Sequence, residues 1–109
     1  MTFYHIILPS IWQQFQGEAF YVSETFEQEK FIHLSTDIQV QDTLNRYYEH
    51  VNEIQILKID GESLMPNIKF ELAPNGDEFP HLYAHLPVQL IKKVYHFNKK
   101  EGANWFIKL

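Results

Sequence analysis

The spacing of apolar residues along the chain predicts a small domain that combines short strands with two helices. A dense apolar run extends from Phe3 to Leu8 and stops at Pro9, which predicts a first strand. Similar runs predict further strands at residues 31–34, 54–59, 68–72, 91–97 and 105–109, with a weaker one at 19–22. The pattern indicates an α+β fold over a single domain, residues 1–109, with a mostly antiparallel or mixed sheet of about six or seven short strands.

A helical period replaces the strand pattern in two segments. Residues 37–50 carry apolar side chains at helical spacing, and Thr36 before them begins the Thr-x-x-Gln pattern of a capping box. Ser10 begins Ser-x-x-Gln in the same way, which predicts a shorter helix at about residues 11–16. Residues 73–81 contain an Asn-Gly pair and are predicted to form a loop.

The composition limits the class of protein and its partners. The 109 residues are 45% hydrophobic and 16% aromatic, which is enough to bury the core of one domain. The formal net charge is −5 and Arg46 is the only arginine, so the chain lacks the basic surface typical of nucleic-acid binding. There is no cysteine, and the N-terminus has neither a basic leader nor an apolar run of about 20 residues. We therefore expect a cytoplasmic protein whose partner is a small molecule rather than nucleic acid or a membrane.

Three of the six histidines, His5, His33 and His81, lie within apolar or aromatic segments. A buried imidazole loses its hydration, so its nitrogens need hydrogen-bond partners. One interpretation is that each is a core residue bonded to a backbone carbonyl or a hydroxyl. The other is that the three rings share one cleft, where imidazole can donate and accept protons near neutral pH. Three such residues in a short chain favour the shared cleft.

Ser35 and Thr36 follow His33 at the predicted start of the long helix. Free N–H groups, the positive end of the helix dipole and an imidazole would together suit an anionic or hydroxylated ligand. The alternative is that both hydroxyls only complete the helix terminus. The pattern gives the two interpretations equal weight.

Glu71 and Arg46 carry the charges that such a site would use. Alternation along residues 68–72 separates Glu71 from Phe70, and the pattern favours a solvated carboxylate. Arg46 is either a surface residue or the partner of a buried acid or a ligand phosphate. Three histidines with Glu71 would also have the composition of a zinc site, although no spacing specifies one.

The segments "FIHLST" and "FPHLYAHLP", after "YHI" near the start, resemble the domain-of-unknown-function family numbered 952. The resemblance extends over about residues 4–94, so most of the hairpin predicted at 91–109 lies beyond it. Members are small bacterial proteins of this length without an established activity. Lys30 stands where members often have glycine, and Ala84–His85 replaces a Gly-Pro pair. Both departures would alter the rim of a pocket.

The resemblance implies a fold related to that of ADP-ribosyltransferases and RNA 2′-phosphotransferases, with NAD as the candidate ligand of its cleft. By position, His5 would bind the ribose on the nicotinamide side, and Glu71 or His81 would take the catalytic position. Residues and resemblance together predict a ligand-binding set of His5, His33, Ser35, Thr36, Arg46 and Tyr83, and a catalytic set of Glu71 and His81.

Two hypotheses follow for the function. The first is an enzyme, or the relic of one, that acts on NAD or a nucleotide-like phosphate ester. The second is a binding module that keeps the cleft without turnover, and a structural zinc site is a third interpretation. Glu71 separates the first two, because catalysis at an oxocarbenium-like centre needs a carboxylate inside the cleft.

Overall fold

The computed structural model describes all residues, 1–109, and its central feature is a three-stranded antiparallel sheet. In chain order the regular elements are β1 (Thr2–Ile7), α1 (Pro9–Trp12), β2 (Phe20–Tyr21), α2 (Phe26–Glu29), β3 (Ile32–His33), α3 (Asp37–Tyr47), β4 (Glu53–Asp60), β5 (Ile68–Leu72), β6 (Glu78–Leu82), β7 (Leu86–Pro87) and β8 (Ile91–Asn98). Short 3-10 segments lie at Gln13–Phe15, Glu62–Asn67 and Val88–Leu90. The longest helix has 11 residues, and no helix has the length and apolar character needed to cross a bilayer.

The eight strands form three antiparallel sheets, two of which meet at a backbone contact. Strand β4 lies between β1 and β8, β6 lies between β3 and β5, and β2 pairs with β7. Just beyond β3, the Tyr4 N–H donates to the Ser35 carbonyl at 2.8 Å, and the Ser35 N–H donates to the Tyr4 carbonyl at 2.7 Å. This pair brings the end of β3, and with it His33, to the edge of β1 that carries His5.

Alternation along β1 and β4 divides the core into two clusters on opposite faces of the central sheet. Phe3, Ile7 and Leu57 belong to the first cluster, which also covers the sheet of β3, β6 and β5. The second cluster is closed by α3 and contains Tyr4, Ile6, Ile54, Ile56, Val40, Leu44 and Trp105. Since His5 alternates with Tyr4 and Ile6, its side chain lies on the first face, toward β3.

The α+β class and the small single domain predicted from the sequence are confirmed, while the division into elements needs correction. The strands form three sheets instead of one, and there are three α-helices instead of two. Helix α1 starts at Pro9 without a side-chain cap, so Ser10 does not begin a capping box. Helix α3 does begin with the predicted box, in which the Thr36 N–H donates to Gln39 Oε1 at 3.0 Å, but it ends at Tyr47.

Residues 78–82 form a strand where the sequence predicts a loop. Pro80 lies in the middle of this strand and is paired with Phe70 of β5. Proline lacks an N–H donor and is rare within sheets, which is why the segment looks like a loop in the sequence. The Pro80 carbonyl still accepts the Leu34 N–H at 3.0 Å on the other side.

Residues 105–109 do not form the predicted last strand, so the hairpin expected at 91–109 is wrong in its second half. The tail instead lies against α3. The Trp105 N–H donates to Asn45 Oδ1 at 2.7 Å, and its indole N–H donates to the Tyr48 carbonyl at 2.8 Å. The Ile107 N–H donates to Gln41 Oε1 at 3.0 Å. Side-chain amides of α3 thus satisfy backbone groups that a neighbouring strand was expected to satisfy.

Candidate functional site

Antiparallel pairing of β3 with β6 places His33 directly opposite His81. Their ring centroids are 5.0 Å apart with an interplanar angle of 75°. Lys69 of β5 is the partner of His81 on the other side. The sheet therefore presents three basic side chains in one row, with the His81 imidazole in the middle.

Glu71 receives two hydrogen bonds at one oxygen. His81 Nδ1–H donates to Glu71 Oε1 at 2.8 Å, and the Tyr83 hydroxyl donates to the same oxygen at 2.5 Å. The bond from Tyr83, followed by that from His81, lowers the pKa of Glu71, and the carboxylate in turn raises the pKa of Tyr83. Glu71 is therefore hydrogen-bonded to two neighbouring side chains while it remains partly solvated, as the sequence pattern favours. The side chain is 40% exposed.

Phe31 fixes the plane of the His81 ring. The two rings are stacked with centroids 4.0 Å apart and an interplanar angle of 8°. Phe31 also contacts His33 edge-on, with centroids 4.8 Å apart. The His81 side chain is only 14% exposed. Phe31 therefore fixes the plane of its ring, and Glu71 binds its Nδ1.

His33 has a carboxylate partner of its own at the end of α2. Lys30 ends that helix in a left-handed conformation, with φ of 70°, and the chain turns there into β3. His33 Nε2–H donates to both carboxylate oxygens of Glu29 at 3.1 Å. Hydrogen bonds from Thr25 and from His33 lower the pKa of Glu29. The site thus contains two imidazole–carboxylate pairs side by side.

His5 is a buried histidine with a partner at each ring nitrogen. Its Nδ1 lies 2.6 Å from the His33 carbonyl and its Nε2 lies 2.8 Å from the Tyr21 hydroxyl. A carbonyl only accepts, so Nδ1 carries the proton and Nε2 accepts from Tyr21. Burial lowers the pKa of His5 to about 4 and raises that of Tyr21, which keeps both neutral. His5 therefore supports the backbone of His33 from within the core.

Two neighbouring cavities border this group, and His33 and Tyr48 line both of them. The smaller cavity has a volume of about 250 Å³ and is also lined by His5, Leu8, Ile11, Tyr21, Ser23, Glu24 and Thr25 among others. The larger one, about 400 Å³, is also lined by Ser35, Thr43, Tyr47, Leu72, Phe79 and His81 among others. We call the two together the cleft. Ser23, in the wall of the smaller cavity, has a buried hydroxyl without a hydrogen-bond partner.

The remaining predicted site residues divide between the cleft and its surroundings. Ser35 is buried and lines the larger cavity, and Tyr83 reaches the site through Glu71. Thr36 lines neither cavity, and its backbone N–H caps α3. Arg46 is exposed on α3 and lines neither cavity.

A zinc site has no ligand set in the structure. No group of three or more histidine, aspartate or glutamate side chains converges in a way that could hold a metal ion. Both nitrogens of His5 are bonded within the protein, which removes one of the three histidines from such a set.

Sequence reasoning missed four residues that shape the site, namely Tyr21, Glu29, Phe31 and Tyr48. Glu29 lies four residues before His33 across a turn, and Phe31 lies two residues before it on the same face. The sequence therefore shows both separations, of four residues for Glu29 and of two for Phe31, and either could have indicated a neighbour of His33. Tyr48 lies at helical spacing within the helix predicted at residues 37–50, which indicates packing rather than a site, and nothing local connects Tyr21 to His5 across 16 residues.

The comparisons with known proteins identify a family and a fold. The family model described as "Protein of unknown function (DUF952)" matches residues 6–94, and no curated protein shows significant similarity. The crystal structure of protein CC0527 from Caulobacter crescentus superposes with a TM-score of 0.83 at 24% identity, covering 96% of this chain and 94% of that one. The solution NMR structure of CC0527 gives a TM-score of 0.74 at 26% identity, with coverages of 86% and 82%. The match over most of its length means that the chain belongs to the DUF952 family.

Proposed function

We propose that this protein binds a nucleoside-like ligand in the cleft and that His81 exchanges a proton with it. The substrate class that we favour is NAD or a related nucleotide-like phosphate ester, used in the manner of an ADP-ribosyltransferase. The observation that carries the proposal is the bond from His81 Nδ1–H to Glu71 Oε1 at 2.8 Å. A carboxylate at Nδ1 fixes the tautomer of the ring and supports a proton on it.

The free nitrogen of His81 is the group available for this chemistry. With Nδ1–H bound to Glu71, the neutral ring keeps a lone pair at Nε2, which has no hydrogen-bond partner in the protein. His81 lines the larger cavity. Its Nε2 would accept a proton from a ligand hydroxyl there, or return one to a leaving group.

The walls of the cleft suit the two halves of a nucleoside. Tyr47, Tyr48 and Phe79 line the larger cavity and offer faces and edges for a flat base. Tyr21 lines the smaller cavity, and its hydroxyl, which donates to His5, could still accept a hydrogen bond from a ribose hydroxyl. A volume of about 400 Å³ in the larger cavity lies within the usual range for small-molecule sites, roughly 300–1,000 Å³.

The proposal assigns His5 a different role from the one that the family resemblance implies. A histidine with both nitrogens bonded to the His33 carbonyl and the Tyr21 hydroxyl has no free group for a ribose. It would act as a positioning residue for His33. No lysine or arginine lines either cavity, so the phosphates of a nucleotide would lie outside the cleft.

Binding without turnover is the second candidate function. Glu71 lines neither cavity, and its Oε1 already accepts two hydrogen bonds. A carboxylate placed in this way orients His81 but does not itself contact an oxocarbenium-like centre. This position favours a cleft that recognises its ligand without cleaving it.

Turnover and binding of NAD by matched variants separate the two candidates. We expect the wild type to release nicotinamide from NAD, and His81→Asn to release it at least about 100-fold more slowly. His96→Asn is the control, because His96 also pairs with a glutamate, Glu53 at 2.6 Å, but on the sheet of β4 and β8. Calorimetric binding of NAD without nicotinamide release would support the second candidate. Neither binding nor release would reject both.

A further inference from the structure

The charges around the cleft are predominantly negative. Glu24 lines the smaller cavity, Glu29 holds His33, and Glu71 holds His81. No lysine or arginine lines either cavity. The nearest cation on the same sheet face is Lys69, whose Nζ lies 4.8 Å from the centre of the Tyr83 ring.

Two of these carboxylates are held in the ionised form by hydrogen bonds. Bonds from Tyr83 and His81 lower the pKa of Glu71, and bonds from Thr25 and His33 lower that of Glu29. Both remain anionic at neutral pH. When His33 and His81 are neutral, three carboxylates stand against the ammonium groups of Lys69 and of Lys30, the residue after Glu29, so these groups carry a net negative charge.

Aromatic side chains form much of the wall of the larger cavity. Tyr47, Tyr48 and Phe79 contribute to its walls, and Phe31 lies beneath His81. The face of an aromatic ring carries partial negative charge and attracts organic cations. No carboxylate lines this cavity itself, but Glu29 and Glu71 are bonded to His33 and His81 in its wall. Aromatic walls with carboxylates close behind them and no lining cation form the pattern expected at a site for a flat, positively charged ring.

We infer that the cleft selects a cationic flat ring, such as an N-substituted pyridinium, over a neutral or anionic ligand of the same shape. This inference rests on the proposed function, since it concerns the ligand of the same cleft. A cation gains from the carboxylates and from the ring faces, whereas a phosphate would approach Glu24, Glu29 and Glu71 without a lysine or arginine in the walls to bind it.

A pair of ligands that differ mainly in ring charge tests the inference. Nicotinamide riboside carries a cationic pyridinium ring, and its dihydro form has nearly the same shape but a neutral ring. We expect calorimetry to give the cationic form an affinity about tenfold higher, a preference in keeping with one cation–π contact aided by partly screened carboxylates. ADP-ribose, which is anionic, should bind more weakly than either.

Matched glutamate variants show whether the cleft is the source of the preference. Glu71→Gln removes one charge and should reduce the tenfold preference to about threefold. Glu53→Gln should leave it unchanged, because Glu53 pairs with His96 away from the cleft.

The possible outcomes separate this inference from the proposed function. Equal affinity for the cationic and neutral ribosides, or tighter binding of ADP-ribose, would overturn the charge preference while leaving a nucleoside site in place. A preference that survives Glu71→Gln in full would show that Glu71 does not create it and would also count against the inference. If none of the three ligands binds, the proposed function fails, and the inference fails with it.

Discussion

The three histidines of the site differ in the hydrogen-bond partners of their ring nitrogens, and these partners determine what each ring can do. His5, His33 and His81 are alike in sequence context, yet only His5 has both ring nitrogens bonded. His33 and His81 each keep one nitrogen free beside a carboxylate-bound one, and of these two side chains His81 is 14% exposed and His33 is 56% exposed. His5 has both nitrogens satisfied inside the core and His33 is tied to Glu29. The structure thus gives His5 the bonded core environment of the first interpretation and places the His33 and His81 rings side by side, while a shared role for the three histidines stays a prediction.

Stability should depend on pH through His5. The unfolded chain takes up a proton with the ordinary histidine pKa of 6.5, while burial lowers the pKa of folded His5 to about 4. Between these pH values the unfolded state binds more protons, so stability is lost as the pH falls from about 6.5 to about 4. The loss should approach about 3 kcal/mol, from roughly 1.4 kcal/mol per pKa unit.

Urea unfolding of two histidine variants at several pH values checks this dependence. His5→Gln removes the titrating group and should flatten the change in the free energy of unfolding between pH 6.5 and pH 4. His50→Gln is the control, because the His50 side chain is 92% exposed. An equal pH dependence in wild type and His5→Gln would show that His5 is not the group responsible.

The carboxylate of Glu71 should respond to the loss of the Tyr83 hydroxyl. Tyr83→Phe removes the first cause of the lowered pKa of Glu71, so that pKa should rise toward its ordinary value. Carbon-detected NMR of the Glu71 carboxyl group measures the shift. Tyr95→Phe is a suitable control on strand β8, and an unchanged Glu71 titration in Tyr83→Phe would contradict the hydrogen bond.

The sequence alone could raise Glu71 as a candidate but not its partners, and Tyr83 enters the site only through the family resemblance. Alternation along β5 separates Glu71 from Phe70 but does not say which side chains of the neighbouring strand share its face. On that face Glu71 lies beside His81 of β6 and bonds to it. Such a contact depends on register between two strands, which a single sequence does not specify.

At the level of elements, α3 and the C-terminal tail form one unit. Trp105 is 1% exposed and its backbone and indole bond to α3 and to Tyr48, a residue that lines both cavities. The tail therefore holds Tyr48, which follows the last residue of α3 and lines both cavities. An apolar run of five residues indicates burial, but its period cannot tell a strand from an extended tail on a helix.

Replacing Trp105 should show how much the tail contributes to stability. Trp105→Ala removes the largest fully buried side chain and leaves the Tyr48 carbonyl without its donor. We expect the free energy of unfolding to fall by about 3–5 kcal/mol in urea titrations.

Phe106→Ala is the matched control, because the Phe106 ring, next to Trp105 in the chain, is 85% exposed. It should change the free energy of unfolding by less than about 0.5 kcal/mol. Similar losses for both variants would mean that Trp105 does not anchor the tail.

At the level of the whole molecule, the fold brings together segments that are far apart in sequence. The Tyr4–Ser35 bridge joins β1 to the end of β3, and the pairing of β3 with β6 adds His81 and, through it, Glu71. The α+β class and most strands follow from local patterns. The cleft does not, because it depends on which strand edges meet, and the proline within β6 conceals one of those strands.

The central claim is that the cleft between His33, His81 and Tyr48 binds a nucleoside-like ligand. The most direct measurement is an NMR titration of the histidine ring signals with nicotinamide riboside. We predict that the His33 and His81 ring signals shift with saturation, while those of the exposed His50 and the remote His96 do not. Saturating shifts confined to His50 and His96, or no shifts at millimolar ligand, would contradict the claim.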